Sequence, residues 1–234
     1  MTLQPTDRIF VALDTPDVDK AVAIAESLSG KVGGVKLGKE FFMANGPDGA
    51  RRVAEVGMPL FLDLKLHDIP NTVAGGVRSV LPLKPAILNV HASGGRAMMQ
   101  AAAEAAASEP ETLLIGVTIL TSLSDEDLAE IGYAQGARET VVRLAKLAQD
   151  CSLGGVVCSP MEIAAIRAAC GDDFKLVVPG IRPTWSATGD QKRVMTPADA
   201  IKEGADYIVI GRPIAAADDP VAAGTPDAGD EPGG

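Results

Sequence analysis

Short runs of β-branched and aliphatic residues alternate with longer Ala-rich stretches along the chain, and this alternation predicts an α/β fold, a closed (β/α)8 or TIM barrel. Two further observations support the barrel. The chain has 234 residues, a length that suits one such domain, and eight βα units can be counted in it. Aromatic residues make up only 3% of the sequence, so Val, Ile, Leu and Ala must fill most of the core.

The predicted strands follow one another at the spacing of βα units. They are Arg8–Leu13, Gly34–Leu37, Leu60–Lys65, Ala86–His91, Leu113–Thr118, Gly155–Cys158, Lys175–Val178 and Tyr207–Ile210. Each is followed by a predicted helix, and the clearest helices are Asp17–Leu28, Gly94–Ala107, Glu139–Ala148 and Pro160–Ala169. Pro197 stands near the start of a further helix, because proline is favoured in the first helical turn.

The turn after the first strand favours a closed barrel over a doubly wound open sheet. An open sheet that binds a dinucleotide carries a G-x-G-x-x-G turn at this point. Here the turn reads L-D-T-P, residues 13–16. We therefore predict a single barrel domain over residues 1–217. Residues 218–234 are rich in Gly, Pro and Asp, and we predict that they form a disordered acidic tail.

Charge and cysteine content argue against several classes of protein. The net charge of −10 disfavours a general nucleic-acid-binding surface, although a local basic pocket can still hold one phosphate. The three cysteines, Cys151, Cys158 and Cys170, include no C-x-x-C pair and indicate neither a disulfide framework nor a zinc site. The sequence has no apolar run of the roughly 18 residues needed for a membrane span, so we expect a cytoplasmic protein with a small anionic ligand.

The strongest chemical signal is the segment D-L-K-L-H-D-I-P-N-T, residues 63–72, at the end of the third strand. Strand side chains alternate in direction, so Asp63 and Lys65 should share the face that lines the catalytic end of the barrel. The alternative is an ion pair that only closes the barrel mouth. His67 has no second histidine at ligand spacing, which makes a metal site improbable. Asp68 lies past the strand end and can act on a neighbouring subunit.

A second signal follows the seventh and eighth strands. The segments V-P-G-I-R-P, residues 178–183, and V-I-G-R-P, residues 209–213, stand where such barrels often bind phosphate. Gly180 and Gly211 permit a close backbone approach, and Arg182 and Arg212 offer planar charged donors. Each fragment alone is also an ordinary turn sequence.

Single polar residues stand at three other strands: Asp14 after the first, Lys36 within the second and Thr121 just after the fifth. Taken alone, each would be interpreted as a solvated surface residue. Their convergence on one barrel mouth favours a binding site.

The segment 63–72 closely resembles the signature of the orotidine 5′-monophosphate decarboxylase family. Further blocks agree with that family: V-A-L-D at 11–14, V-K-L-G at 35–38, L-T-S at 120–122, P-G-I-R at 179–182, G-D-Q-K-R at 189–193 and I-G-R-P at 210–213. The resemblance spans residues 8–216. It departs at the C-terminus, where the family usually continues its last helix.

The resemblance implies that the chain decarboxylates orotidine 5′-monophosphate to UMP and CO2 in de novo pyrimidine biosynthesis. Lys65 would protonate the ring carbon as CO2 leaves, and Asp63 and Lys36 would flank it. Asp68 would complete a Lys-Asp-Lys-Asp charge array from the partner subunit of a homodimer with shared sites. The family uses no metal and no organic cofactor.

The resemblance also implies the substrate contacts. Asp14, Lys36 and the partner's Thr72 would contact ribose hydroxyl groups, and Thr121 the pyrimidine. The remaining predicted binding residues are Asp63 and Ile69 in the signature, Gln191 between ring and phosphate, and Arg182, Gly211 and Arg212 at the phosphate. The stretch Arg182–Arg193 lacks a clear periodicity and is predicted to be a mobile loop over the substrate.

Two alternatives remain at this point. One is a synthase of the same barrel superfamily, such as 3-hexulose-6-phosphate synthase, which carries D-x-K-x-x-D and uses Mg²⁺ but lacks the H-D-I-P-N-T continuation found at 67–72. The other is a nucleotide-phosphate binder without catalytic activity. Metal-independent turnover would separate the chain from both.

Overall fold

The computed structural model of the protein describes residues 4–182, 195–217 and 219–224. Within these residues, parallel strands β1 to β8 pair in sequence order, and β8 pairs with β1 to close the barrel. This confirms the predicted (β/α)8 fold. No helix in the described ranges is long and apolar enough to cross a bilayer.

The strands end within one residue of their predicted bounds, because short runs of β-branched residues between turn signals mark them clearly. They are β1 Ile9–Ala12, β2 Gly34–Gly38, β3 Leu60–Leu66, β4 Ile87–His91, β5 Leu113–Val117, β6 Gly155–Val157, β7 Lys175–Pro179 and β8 Tyr207–Ile210. The helices are α1 Val18–Leu28, α2 Lys39–Ala54, α3 Pro70–Val80, α4 Gly95–Ala106, α5 Asp125–Glu130, α6 Ala137–Asp150, α7 Ile163–Cys170, α8 Pro197–Glu203, α9 Arg212–Ala215 and α10 Pro220–Gly224. Short 3-10 turns cover Thr6–Arg8, Leu81–Leu83, Ala92–Gly94 and Pro160–Glu162.

Local capping explains where several helices begin. The Asp17 side chain accepts a hydrogen bond from the backbone N–H of Lys20 at the start of α1. Thr196 caps α8 in the same way, and Pro197 occupies its first turn as predicted. In α1, Ala21, Ala25 and Leu28 recur at helical spacing and are buried against the barrel.

The core has two layers. The larger layer lies between the strands and the surrounding helices and is aliphatic, as the composition predicts. The smaller layer fills the barrel interior, and there the aromatic rings of Phe10, Phe61 and Tyr207 meet edge to face near the amino ends of the strands. The prediction of an aliphatic core therefore needs one amendment, since these rings close the barrel base.

Two helices differ from the sequence-based prediction. Helix α5 is an addition between β5 and α6, and a reciprocal capping box between Ser124 and Asp127 begins it. Helix α10 lies inside the segment 218–234 that we predicted to be a disordered tail. It packs on α1 and α9, and Gly224 is buried beside Val32 and Leu28. The described chain thus includes a short helix past residue 217, and the tail beyond Gly224 lies outside the described residues.

Candidate active site

The end of β3 departs from regular strand geometry. Leu62 pairs with Leu88 and Leu66 pairs with Val90, so three residues of β3 stand opposite the single residue Asn89 of β4. Within this bulge Lys65 has a φ of +51°, in the left-handed region that residues other than glycine rarely adopt. Bulges of this kind re-aim side chains next to active sites.

At this bulge, the side chains of Asp63 and Lys65 lie close together, as the alternation of strand side chains predicted. The Lys65 Nζ atom lies 2.5 Å from Oδ1 of Asp63. The other carboxylate oxygen of Asp63, Oδ2, lies 3.2 Å from Nζ of Lys36 on β2. Lys36 Nζ is also 3.4 Å from Oδ1 of Asp14, which follows β1. Charges of opposite sign therefore alternate from Asp14 to Lys65 along the carboxyl ends of three adjacent strands.

The environment of Asp63 keeps it ionised. Burial alone raises the pKa of this carboxyl, but the charges of Lys36 and Lys65 and the hydrogen bonds from Lys65 and Asn89 outweigh burial and hold the pKa below its ordinary value. Lys36 and Asp63 are both buried, whereas 27% of the Lys65 side chain is exposed. The two ends of the array, Lys65 and Asp14, are therefore its solvent-accessible members, since 55% of the Asp14 side chain is also exposed.

Two histidines border the array. The rings of His67 and His91 lie 5.2 Å apart. Burial, followed by electrostatic interactions with His67, Lys39 and Lys65, lowers the pKa of His91 to about 4. His91 is therefore neutral near pH 7. In the parts of the chain that the structure describes, no group of three or more His, Cys, Asp or Glu side chains has the arrangement of a metal site.

Three further predicted residues of the signature lie at the surface of the chain. Asp68, Ile69 and Thr72 are exposed, and Ile69 shows 67% of its surface to solvent. The Asp68 carboxylate accepts a hydrogen bond from the backbone N–H of Ile69, at 2.7 Å. Among the described residues, no hydrogen bond or ion pair connects these three with Lys36, Asp63 or Lys65. One chain by itself thus supplies three members of the predicted four-residue array.

The predicted phosphate end lies on β7 and β8, which are neighbours in the barrel. Gly180 has a φ of +78°, which a residue with a side chain would adopt only under strain. Two residues later stands the buried Arg182, whose Nε atom has no hydrogen-bond partner in the described residues. A Cβ added to Gly211 would lie 3.8 Å from Oδ2 of Asp14, so this glycine borders the charge array. Arg212 is exposed beside it.

The remaining predicted residues are less informative. Thr121 is exposed in the turn after β5. Gln191 and nearly all of the predicted mobile loop, residues 183–193, lie outside the described residues. The sequence-based reasoning missed Asn89, which is fully buried and touches both Asp63 and Lys65. Its signal was a polar residue inside the otherwise apolar run Ile87–Val90.

Comparison with known proteins gives consistent matches over nearly the whole chain. Residues 7–225 match the sequence model of the orotidine 5′-phosphate decarboxylase / HUMPS family. Orotidine 5′-phosphate decarboxylase of Rhodospirillum rubrum is 56% identical over 230 residues, which cover 95% of this chain and 92% of the relative. The enzyme of that name from Paramagnetospirillum magneticum is 54% identical, covering 92% and 94%. The crystal structure of orotidine 5′-phosphate decarboxylase from Lactobacillus acidophilus superposes with a TM-score of 0.82 at 37% identity, covering 92% of this chain and 95% of that one.

Proposed function

Because the chain belongs to the orotidine 5′-phosphate decarboxylase / HUMPS family, we propose that it is a carboxy-lyase of pyrimidine biosynthesis that converts orotidine 5′-monophosphate to UMP and CO2. The family predicted from residues 63–72 is thereby confirmed. The observation that carries the activity is the ammonium of Lys65, held 2.5 Å from the Asp63 carboxylate at the barrel rim.

The proton donor in this reaction is Lys65. When the bond between the ring carbon and the carboxylate breaks, CO2 leaves and the electron pair stays on a ring carbon that has no adjacent π system to accept it. A fixed ammonium beside that carbon stabilises the developing charge and then donates its proton. The amine of Lys65 recovers a proton from solvent before the next turnover. Because the pKa of Asp63 is held below its ordinary value, its carboxylate stays ionised and keeps the ammonium in place.

The other charged residues position the substrate and the array. Lys36 holds the second carboxylate oxygen of Asp63, and together with Asp14 it is placed to bind ribose hydroxyl groups. The fourth charge is Asp68 of the partner subunit, in a homodimer whose sites are shared. The exposure of Asp68 and Thr72 supports this arrangement, because side chains that act across an interface must leave their own subunit.

The phosphate binds at the ends of β7 and β8. Arg182, with a buried and unpartnered Nε among the described residues, and Arg212 supply charged donors, while Gly211 allows the backbone to approach. Thr121 contacts the pyrimidine, Ile69 lines the site, and Gln191 links ring and phosphate. Binding energy at the phosphate, far from the reacting carbon, orients the ring against Lys65.

The reaction needs no metal ion or organic cofactor, since the ammonium and carboxylate groups supply both the field and the proton. A cytoplasmic location stays a prediction.

The deciding measurement is the loss of orotate absorbance when purified protein meets orotidine 5′-monophosphate with EDTA present. We expect full turnover in EDTA and UMP as the product. Turnover that requires added Mg²⁺, or activity on a sugar phosphate instead, would indicate a synthase. Tight UMP binding without any turnover would indicate a binder.

A further inference from the structure

We infer that Asn89 is a positioning residue for decarboxylation, whose carboxamide holds the Lys65 backbone and the Asp63 carboxylate in the relative orientation that the proton transfer requires. The inference rests on the proposed function. Asn89 lies on β4, has no exposed surface and contacts both residues through different atoms.

The two hydrogen bonds of Asn89 can be made in only one orientation of its amide. The backbone N–H of Lys65 can only donate, and it lies 2.7 Å from Oδ1 of Asn89. The ionised carboxylate of Asp63 can only accept, and its Oδ1 lies 2.7 Å from Nδ2 of Asn89. A flipped amide would place donor against donor and acceptor against acceptor, so the chemistry of the partners determines the orientation.

The bond to Lys65 compensates for the bulge. Three residues of β3 face Asn89 alone, and within this bulge the N–H of Lys65 donates to a side chain, where a regular parallel ladder offers a backbone carbonyl as partner. The Asn89 side chain takes the place of that partner. A residue other than glycine persists at a φ of +51° only where its surroundings hold it there. Without this bond, the Lys65 backbone is free to relax into the ordinary strand region and re-aim its side chain.

The bond to Asp63 fixes the plane of the carboxylate. Its Oδ1 receives both the Lys65 ammonium and the Asn89 amide, while Oδ2 faces Lys36. Loss of the Asn89 donor would leave one oxygen with a single partner that is itself partly exposed. The Lys65 ammonium would then spend less time beside the reacting carbon, and a displacement of about 1 Å in such a group costs on the order of a hundredfold in rate.

Asn89→Ala tests the inference, with Thr112→Val as a matched control. The Thr112 side chain is also buried and donates to a backbone carbonyl, that of Pro85, at 2.8 Å, but it lies at the base of the barrel. We expect kcat for orotidine 5′-monophosphate to fall about a hundredfold in Asn89→Ala, while the inhibition constant of UMP changes less than about threefold. In Thr112→Val both constants should stay within about twofold of wild type.

Asn89→Asp provides a second variant of nearly the same shape in case Asn89→Ala does not fold. A protonated carboxyl can accept from Lys65 and donate to Asp63, as the amide does, whereas a carboxylate repels Asp63. Asp63 and the carboxyl group introduced at position 89 would be in contact, and two such groups titrate together with a raised apparent pKa. The charges of Lys36 and Lys65 act to lower this pKa, and the neutral His91 does not change it. The kcat of Asn89→Asp relative to wild type should therefore rise severalfold as the pH falls from about 8 to about 6.

The outcomes separate the inference from the proposed function. If wild type fails to decarboxylate orotidine 5′-monophosphate, the proposed function fails before any variant is compared, and the inference falls with it. If wild type is active but Asn89→Ala keeps its kcat within about twofold, or loses only UMP affinity, Asn89 is a structural residue and the inference is overturned. A pH-independent ratio for Asn89→Asp would overturn it as well.

Discussion

Two charge networks lie at opposite ends of the barrel, and they differ in how completely their polar atoms are satisfied. At the carboxyl ends of the strands, Lys65 pairs with Asp63 from a left-handed backbone position, and 27% of its side chain is exposed. At the amino ends of β7 and β8, Arg167 and Lys175 both pair with Asp206. The residues of both networks are ordinary in type, so the difference lies in their surroundings.

In the basal network the arginine and the carboxylate each have several hydrogen-bond partners, although 40% of the Lys175 side chain is exposed. Arg167 donates to the Asp206 side chain and to four backbone carbonyl groups, those of Gly171, Asp172, Phe174 and Gly204. Asp206 also accepts from the backbone N–H of Leu176, at 2.9 Å. This network ties α7, α8, β7 and β8 together and leaves little capacity for a ligand. Both networks include a partly exposed lysine, but the rim network holds its lysine at a strained backbone position, which is the condition expected of a site prepared for substrate.

The largest difference should appear when one lysine of each network is removed. Lys65→Ala should lower kcat by at least about a thousandfold, because it removes both the proton donor and its charge, while UMP binding stays measurable. Lys175→Ala at the base should leave kcat within about twofold. Steady-state assays and UMP titration check both. Decarboxylation retained in Lys65→Ala would end the assignment of Lys65 as donor.

Mixing two inactive variants tests whether the charge array at the rim needs Asp68 from a second subunit. Lys65→Ala and Asp68→Asn should each be nearly inactive alone. Mixed in equal amounts and allowed to exchange subunits, they should recover about a quarter of the wild-type activity, because half of the dimers are mixed and each mixed dimer has one intact site. If activity fails to return although mixed dimers form, each site is complete within one chain.

Breaking the basal network should reduce stability instead of catalysis. Arg167→Met removes the arginine partner of Asp206, whose side chain is only 15% exposed, and the hydrogen bonds that Arg167 donates to four carbonyl groups, which should cost about 3–5 kcal/mol in the free energy of unfolding. Urea denaturation measures this cost. Arg96→Ala is the control, since Arg96 and Asp150 form an exposed pair at 3.3 Å and should contribute less than about 1 kcal/mol. The Arg167→Met protein that remains folded should keep its kcat. A large loss of kcat would mean that the basal network also determines the geometry of the active site.

The smallest expected effect is the contribution of His91 to the pH dependence of the unfolding free energy. The pKa of His91 is about 4 in the folded protein and 6.5 in an unfolded chain, so the unfolded state binds more protons between these values. Stability supplied by the neutral histidine is present above pH 6.5 and is lost as the pH falls toward 4. After allowance for partial exposure, we expect the unfolding free energy to fall by about 1 kcal/mol more in wild type than in His91→Gln between pH 7.5 and 5. Equal falls in the two proteins would contradict a neutral His91.

Much of this molecule is readable from sequence because the informative patterns are local. Runs of β-branched residues predicted the strand bounds to within one residue, and Pro197 predicted the start of α8. Asp63 and Lys65 were placed on one face by strand alternation. The converging positions of Asp14 and Lys36 followed from a general rule, that the carboxyl ends of parallel strands meet at one rim.

Other features arise from contacts between distant segments, and no local pattern contains them. Asn89 bonds to Lys65 and Asp63, which precede it by 24 and 26 positions, and the bulge between β3 and β4 exists only in their pairing. Composition assigned residues 220–224 to a tail, whereas in the structure they form helix α10, which packs against α1. The amino-acid sequence by itself determined the barrel and the chemical groups at its rim, because both follow from local periodicity and residue type. Only the tertiary structure decided which way Lys65 is aimed and what holds it there, because that depends on hydrogen bonds between strands that meet after the chain has folded.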